Sequence, residues 1–255
     1  MKNKFISKQV IIVALIIIII GAVVYSININ KKPLVMAPTD NNVINIVKKE
    51  PIEMCYYLAN KTNNGFYDTA WLKLNILGEK VTGEFRNLPA EKDSKIGSFE
   101  GTVGPLDQKI MARTATVWWN SLAEGMNVKE ELTILFGDGS ATVGFGEMVN
   151  RGDGVYVYKD KTKLTYIKSM SQIDCVTLDE KLFTEKYIMD NIKTLATNKP
   201  VLGGTWHVTS VIASPIAHNG EVTYEDGHIQ SKANFIYTYQ NNPQNVTITT
   251  FKVIK

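Results

Sequence analysis

The chain holds three histidines, His207, His218 and His228, and all of them fall in the last 49 residues, close to Glu225 and Asp226. Imidazole and carboxylate together are competent ligands for zinc or copper. Their spacing matches no metal motif, however, and His218 and His228 stand beside expected hairpin turns, where a histidine is ordinarily just solvated. No metal and no other cofactor is expected. Nucleophilic catalysis finds as little support, because no Gly-x-Ser-x-Gly elbow is present. Carboxylates are plentiful, at Glu84, Glu91, Asp93, Glu100, Glu130, Glu131 and Asp138. Glycosidase-type chemistry needs two of them facing each other across a cleft, which a linear sequence does not reveal. Glu130 and Glu131 are adjacent, so on a strand they point to opposite faces. Gly137-x-Gly139 and Gly144-x-Gly146 lack the Gly-Lys-Ser/Thr ending and the following helix of a phosphate loop. No catalytic residue is assigned.

The pair Trp118-Trp119 is the more promising feature. On a strand the two rings face opposite sides, so one is exposed unless something covers it. Exposed aromatics are enriched where proteins bind their partners, which makes Trp118 and Trp119 the candidate ligand-binding residues. The alternative is that the second ring rests on a loop or on the C-terminal part of the chain. Arg151-Gly152-Asp153 reads as turn chemistry between strands. Asn60-Lys61-Thr62 and Asn245-Val246-Thr247 are glycosylation sequons, relevant only in a host that glycosylates. Two cysteines, Cys55 and Cys175, are an even count that permits one disulfide in an exported domain. Two buried thiols are the alternative.

The elements that must position these residues are mostly strands. From Ile52 the pattern has period two: Leu72, Leu74 and Ile76 alternate with Trp71, Lys73 and Asn75, and Val81, Gly83 and Phe85 follow the turn at Gly78-Glu79. Further strands are expected at Ile96–Val103, around Ala115–Trp119, Leu132–Phe136, Ala141–Phe145, Val155–Tyr158 and Leu164–Ile167. Gly137-Asp138-Gly139 is a tight-turn signal. Such a long meander removes its exposed edges by closing, so residues 52–176 are expected to form an antiparallel up-and-down β-barrel. Gly83, Gly101, Gly144 and Gly146 suit the bends that closure needs.

At Thr177 the period changes. Thr177-x-x-Glu180 has capping-box spacing, and Phe183, Tyr187, Ile188, Ile192 and Leu195 share one helical face. A helix over 179–197 is predicted, ended by Asn198 and Pro200. Strands return after Gly203-Gly204, with turns at Asn219-Gly220, Asp226-Gly227 and Asn241–Gln244. This predicts a four-stranded antiparallel sheet over 204–254, and with the helix a small α+β unit over 177–255.

Ahead of the β pattern lies a different kind of sequence. Residues 10–27, VIIVALIIIIIGAVVYSI, carry no charge, and thirteen of the eighteen are Ile, Leu or Val. That length just spans a hydrocarbon core as a helix. The composition favours insertion by roughly −4 kcal/mol or more. No small-x-small cleavage site follows the run, so it reads as an uncleaved transmembrane anchor, with a cleaved signal peptide as the alternative. Residues 1–9 form a basic tail expected on the cytoplasmic side, and 28–51, with Pro33, Pro38 and Pro51, read as a tether. Residues 1–50 carry seven Lys against Asp40 and Glu50, a net +5, which leaves −2 for the other 205 residues. The β region thus lacks the basic footprint of a nucleic-acid binder.

The segments Cys55-Tyr56-Tyr57, Gly65-Phe66-Tyr67-Asp68, Gly78-Glu79-Lys80-Val81-Thr82-Gly83-Glu84, Pro89-Ala90-Glu91-Lys92-Asp93-Ser94-Lys95 and Val201-Leu202-Gly203-Gly204-Thr205-Trp206 carry a resemblance. Over most of 52–255 the chain resembles an uncharacterised family of small, single-pass membrane-anchored proteins of candidate-phyla bacteria with reduced genomes. That family brings no assigned activity, so no residue role carries over. In architecture alone the first domain is similar to calycin barrels, which bind small ligands or proteins. The sequence is thus read as mainly β: a transmembrane helix, an antiparallel barrel, then an α+β unit. Its expected location is the cell membrane, with the soluble part extracytoplasmic. Its expected role is non-enzymatic binding of a small ligand or an envelope protein. An envelope hydrolase and a structural oligomerisation protein are the alternatives.

Overall fold

The computed structural model describes residues 50–90, 92–201 and 203–254. The tail 1–9, the apolar run 10–27 and all but the last two residues of the tether 28–51 lie outside them. No helix among the described residues is long and apolar enough to cross a membrane.

Ten strands precede the helix: β1 (Ile52–Lys61), β2 (Tyr67–Leu77), β3 (Lys80–Leu88), β4 (Lys95–Asp107), β5 (Ala112–Ala123), β6 (Met126–Gly137), β7 (Ser140–Val143), β8 (Met148–Asn150), β9 (Val155–Tyr158) and β10 (Ser169–Ile173). Eight of them close into an antiparallel barrel, in the order β1-β2-β3-β4-β5-β6-β7-β10 and back to β1. The remaining two form an excursion, with β9 parallel to β6 and β8 on its outer side. The strict alternation seen in the sequence is what fills the barrel. Leu72, Leu74 and Ile76 of β2 meet Val81 and Phe85 of β3, Phe99 and Val103 of β4, and Val117 and Trp119 of β5, all buried in one cluster. Gly83 allows the wall to curve: a Cβ there would lie 2.0 Å from the Lys73 carbonyl oxygen, closer than any side chain tolerates.

The barrel differs from expectation at its last strand. Leu164–Ile167 is not a strand. It follows a short 3-10 turn at Lys161–Lys163 and makes a single bridge, Thr165 with Phe145. The closing strand is β10, five residues of which only Met170 is buried. It pairs β1 on one side and β7 on the other, so backbone hydrogen bonding rather than apolar patterning places it.

The helix, α1 (Cys175–Leu195), begins four residues before the expected 179 and ends at 195 rather than 197. Its N-cap is Asp174, whose carboxylate accepts from the Thr177 N–H at 2.9 Å and from its hydroxyl at 3.2 Å. Thr177 is therefore the capped residue and not the cap. Cys175, in the first turn, is bonded to Cys55 on β1 across 120 positions of sequence. The disulfide, left open by the sequence, is formed.

Four antiparallel strands follow, β11 (His207–Ser214), β12 (Asn219–Glu225), β13 (Gln230–Asn241) and β14 (Gln244–Ile254), in sequential order. The sheet therefore opens at His207, not 204. Asn219-Gly220 is not a turn but the first two residues of β12. The reversal lies before it and uses His218 at φ 48°. Gly220 is there for space: a Cβ would lie 2.2 Å from the Phe235 ring. Ile188 and Ile192 of α1 pack on Val222, Tyr224, Phe235 and Tyr237 in a second core. A third, small cluster joins the two: Cys55 and Trp71 of the barrel with Leu178 of α1. Barrel, helix and sheet form one compact unit.

Candidate functional site

A filled barrel has an outer wall, and on three neighbouring strands that wall carries a row of hydrogen-bond donors. Tyr57 on β1 is in register with Trp71 on β2, which is in register with Arg86 on β3. Cross-strand partners stand about 5 Å apart, so the three side chains project together. Each carries a buried polar atom with no protein partner: the Tyr57 hydroxyl, the Trp71 Nε1 and the Arg86 Nε. Trp71 as a whole is only 4% exposed. A buried donor without an acceptor costs about 1–3 kcal/mol. Three in one register row are an unusual concentration for a native fold.

The row forms part of a cleft of about 800 Å³ between the barrel wall, α1 and β11. The disulfide and the Trp71–Leu178 contact hold the first turns of α1 over the wall. From there α1 contributes Asp179, Leu182, Phe183, Glu185 and Lys186, and β11 contributes Val208 to Val211. Three lysine–carboxylate pairs surround the row. Lys73 on β2 pairs with Asp179, Lys186 pairs with Asp190 at 2.7 Å, and Lys181 pairs with Glu185 at 2.8 Å. Lys181 also donates to the Ala213 carbonyl, and its ammonium lies 4.6 Å from the centre of the Tyr57 ring. Glu185 accepts the Ala213 N–H at 3.0 Å. Burial pushes the Glu185 carboxyl above the usual range, opposed by Lys181, the Ala213 N–H and Arg86. Burial, then the negative charge of Glu185, pushes the Tyr57 hydroxyl up, so it stays protonated and has a proton to donate. Arg86 makes no ion pair among the described residues, which sets it apart from the other cations of the cleft.

The residues singled out by sequence lie elsewhere. Trp119 is inside the barrel, its Nε1 donating to the Gly97 carbonyl at 2.9 Å and its ring 5.1 Å from that of Phe85. Trp118 is on the outer face, half-buried, with the Lys129 ammonium and the Arg151 guanidinium over its ring. Neither lines the cleft. Arg151-Gly152-Asp153 is an exposed turn in which Arg151 pairs with Asp153. Glu130 and Glu131 do face opposite sides. Glu130 turns inward to Ser121 and Lys95, at 3.2 and 2.8 Å. Glu131 turns outward to Lys161 at 2.5 Å. The histidines do not converge: His218 approaches Glu180 at 3.4 Å, and the backbone N–H of His228 donates to Asp226. Among the described residues one group has metal-ligand spacing, Glu53 with Cys55 and Cys175, and its two sulfurs are bonded to each other.

Sequence reasoning missed Tyr57, Arg86 and Glu185. A signal existed for the first two, because both share the outward parity of Trp71 on strands whose other face is the core. Which outward residues would be roofed over depends on where α1 docks, and no local pattern states that. No family model, no curated protein and no solved structure matches this chain.

Proposed function

We propose that this protein is a membrane-tethered, extracytoplasmic binding protein whose ligand seat is the cleft on the outer barrel wall. The single observation that carries the reading is the Tyr57–Trp71–Arg86 row: buried donors with no protein acceptor, on three residues that help to line a space of about 800 Å³. Sites for small molecules commonly have volumes of this order and polar groups that fix orientation. The barrel lumen, the usual seat in calycin-like proteins, is filled by core side chains here. The disulfide supports the location, since such bonds persist in oxidising compartments. The apolar run 10–27 supports the tether. The hydrolytic alternative has less support in the cleft, where Asp179, Glu185 and Asp190 are each held by a lysine and Glu84 is left as the carboxylate without an ion pair among the described residues.

The test is a fragment screen on the full chain, read by the indole N–H resonances of its four tryptophans. Binding in the cleft moves the Trp71 signal and leaves that of Trp119 in place. A Thr69→Trp change, which fills the cleft, abolishes the shift. Fragments that move only Trp118 or Trp119 would return the site to the barrel and overturn the reading. Removal of the β region by protease added to intact cells checks the topology, and full protection reverses it.

A further inference from the structure

We propose that the cleft takes a small organic carboxylate, with its anionic head on Arg86, Trp71 and Tyr57 and its apolar body along Leu182, Phe183 and Met189. The inference rests on the cleft being the ligand seat and adds the chemical class of the ligand.

Three features of the site select that class. The first is donor polarity. Indole N–H and guanidinium are donors with no acceptor capacity, and the Tyr57 hydroxyl is held protonated beside a carboxylate. A row of donors is complemented by a group that only accepts, and an ionised carboxylate is such a group. A primary amide would set its own N–H donors against theirs.

The second is charge. Lys73, Lys181 and Lys186 are each matched by a carboxylate of α1. Arg86 is the cation of the cleft left without an ion pair among the described residues, so one negative charge can be matched there. Glu84 lies two residues away on the same face of β3 and also lines the cleft. A phosphate monoester, carrying close to two charges at neutral pH, would place its second charge against Glu84, Asp179 and Glu185. A monoanion meets only part of that repulsion. The planar fork of Arg86 suits a carboxylate in particular, because two parallel hydrogen bonds match its two oxygens.

The third is the apolar stretch. Leu182, Phe183 and Met189 of α1, with Val208 and Val211 of β11, also line the cleft. A small molecule with an apolar body next to its carboxylate can engage both parts at once.

The test uses the full chain and four probes: 3-phenylpropionate, its primary amide, phenethyl phosphate and the tripeptide Ala-Ala-Phe with a free C-terminus. The readout is titration of the Trp71 indole N–H, assigned by its loss in Trp71→Phe. The expected result is that 3-phenylpropionate shifts Trp71 and binds about tenfold or more tightly than the amide, the gain of one charge-assisted contact. Phenethyl phosphate binds more weakly than the acid. Arg86→Gln loses about tenfold for the acid and nothing for the amide. Tyr57→Phe, which keeps the ring, loses less. Near-ultraviolet circular dichroism confirms that both variants are folded, and Tyr57→Phe serves should Arg86→Gln fail that check.

Equal binding of acid and amide, or an acid affinity unchanged by Arg86→Gln, overturns the carboxylate assignment and leaves the cleft as the site. Preference for the phosphate overturns the single-charge argument. Tighter binding of the tripeptide than of the free acid overturns the small-molecule form in favour of a peptide terminus. An acid that moves no Trp71 resonance at any attainable concentration overturns the proposal outright, while the fragment screen still decides the cleft.

Discussion

Tyr56 and Tyr57 are neighbours in the chain and live in opposite surroundings. Tyr56 points into the barrel, fully buried, and its hydroxyl donates to the Gly137 carbonyl at 2.9 Å. Tyr57 points outward beneath α1, and its hydroxyl meets no protein acceptor. The same contrast separates Trp119, hydrogen-bonded in the lumen, from Trp71, unpartnered on the wall. Among the described residues, no buried side-chain polar atom on the barrel's inward face lacks a partner. The outer wall under the helix is buried but incomplete, and the ligand of the proposed function would complete it.

The disulfide belongs to the incomplete side, and its removal has the largest expected effect. Changing Cys55 and Cys175 together to Ser costs roughly 4–5 kcal/mol by the loop-entropy model for a separation of 120 residues. Denaturant unfolding checks it, and a cost below about 1 kcal/mol would mean that packing at Leu178 holds α1 unaided. Next comes the lumen: Leu74→Ala costs about 2–5 kcal/mol. Met189→Ala on the cleft side stays within about 0.5 kcal/mol. Equal losses at the two would erase the distinction between a finished and an unfinished region.

The paired tyrosines give a finer probe. Tyr56→Phe loses a satisfied hydrogen bond and costs about 1 kcal/mol. Tyr57→Phe removes an unpaired hydroxyl and is neutral or stabilising. Burial, helped by Asp138, also pushes the Tyr56 hydroxyl up to about 12. Its folded value is thus above the unfolded value near 10. The stabilisation it provides is complete below about 10 and is lost as pH rises from there through its folded value. Tyr56→Phe lacks that share of the alkaline loss, measured as unfolding free energy against pH.

The smallest effect concerns Glu185, whose folded value is raised by burial. It faces Lys181 on its own helix, Arg86 on β3, Tyr57 on β1 and the Ala213 N–H on β11. Because the raised value favours the protonated form in the fold, stability falls as pH rises from the ordinary carboxylate range through that value. Glu185→Gln flattens this slope, and an unchanged slope would assign the dependence to another group.

The alternation along β2 and β3 was legible because each strand has one face in the core, so the residues themselves spell out the period. The Ser169–Ile173 strand was not, since its place is fixed by backbone bonds to β1 and β7 and its side chains say little. Leu164–Ile167 misled for the converse reason: it is apolar because Leu164 lies over Gly144 and Gly146, not because it joins the sheet. The helix face was readable, but its start was not, because Asp174 and Thr177 are both competent caps and the fold uses the earlier one. The donor row was half legible. Its parity was visible, its roof was not.

The bond from Cys55 to Cys175 ties the roof of the cleft to its wall, and under the proposed function this couples occupancy to sulfur chemistry. A ligand that binds only when α1 is seated draws the population toward the oxidised form, so the loaded protein resists thiol reductants longer than the empty one. The converse follows by reciprocity: cutting the bond loosens the grip on the ligand by the same factor.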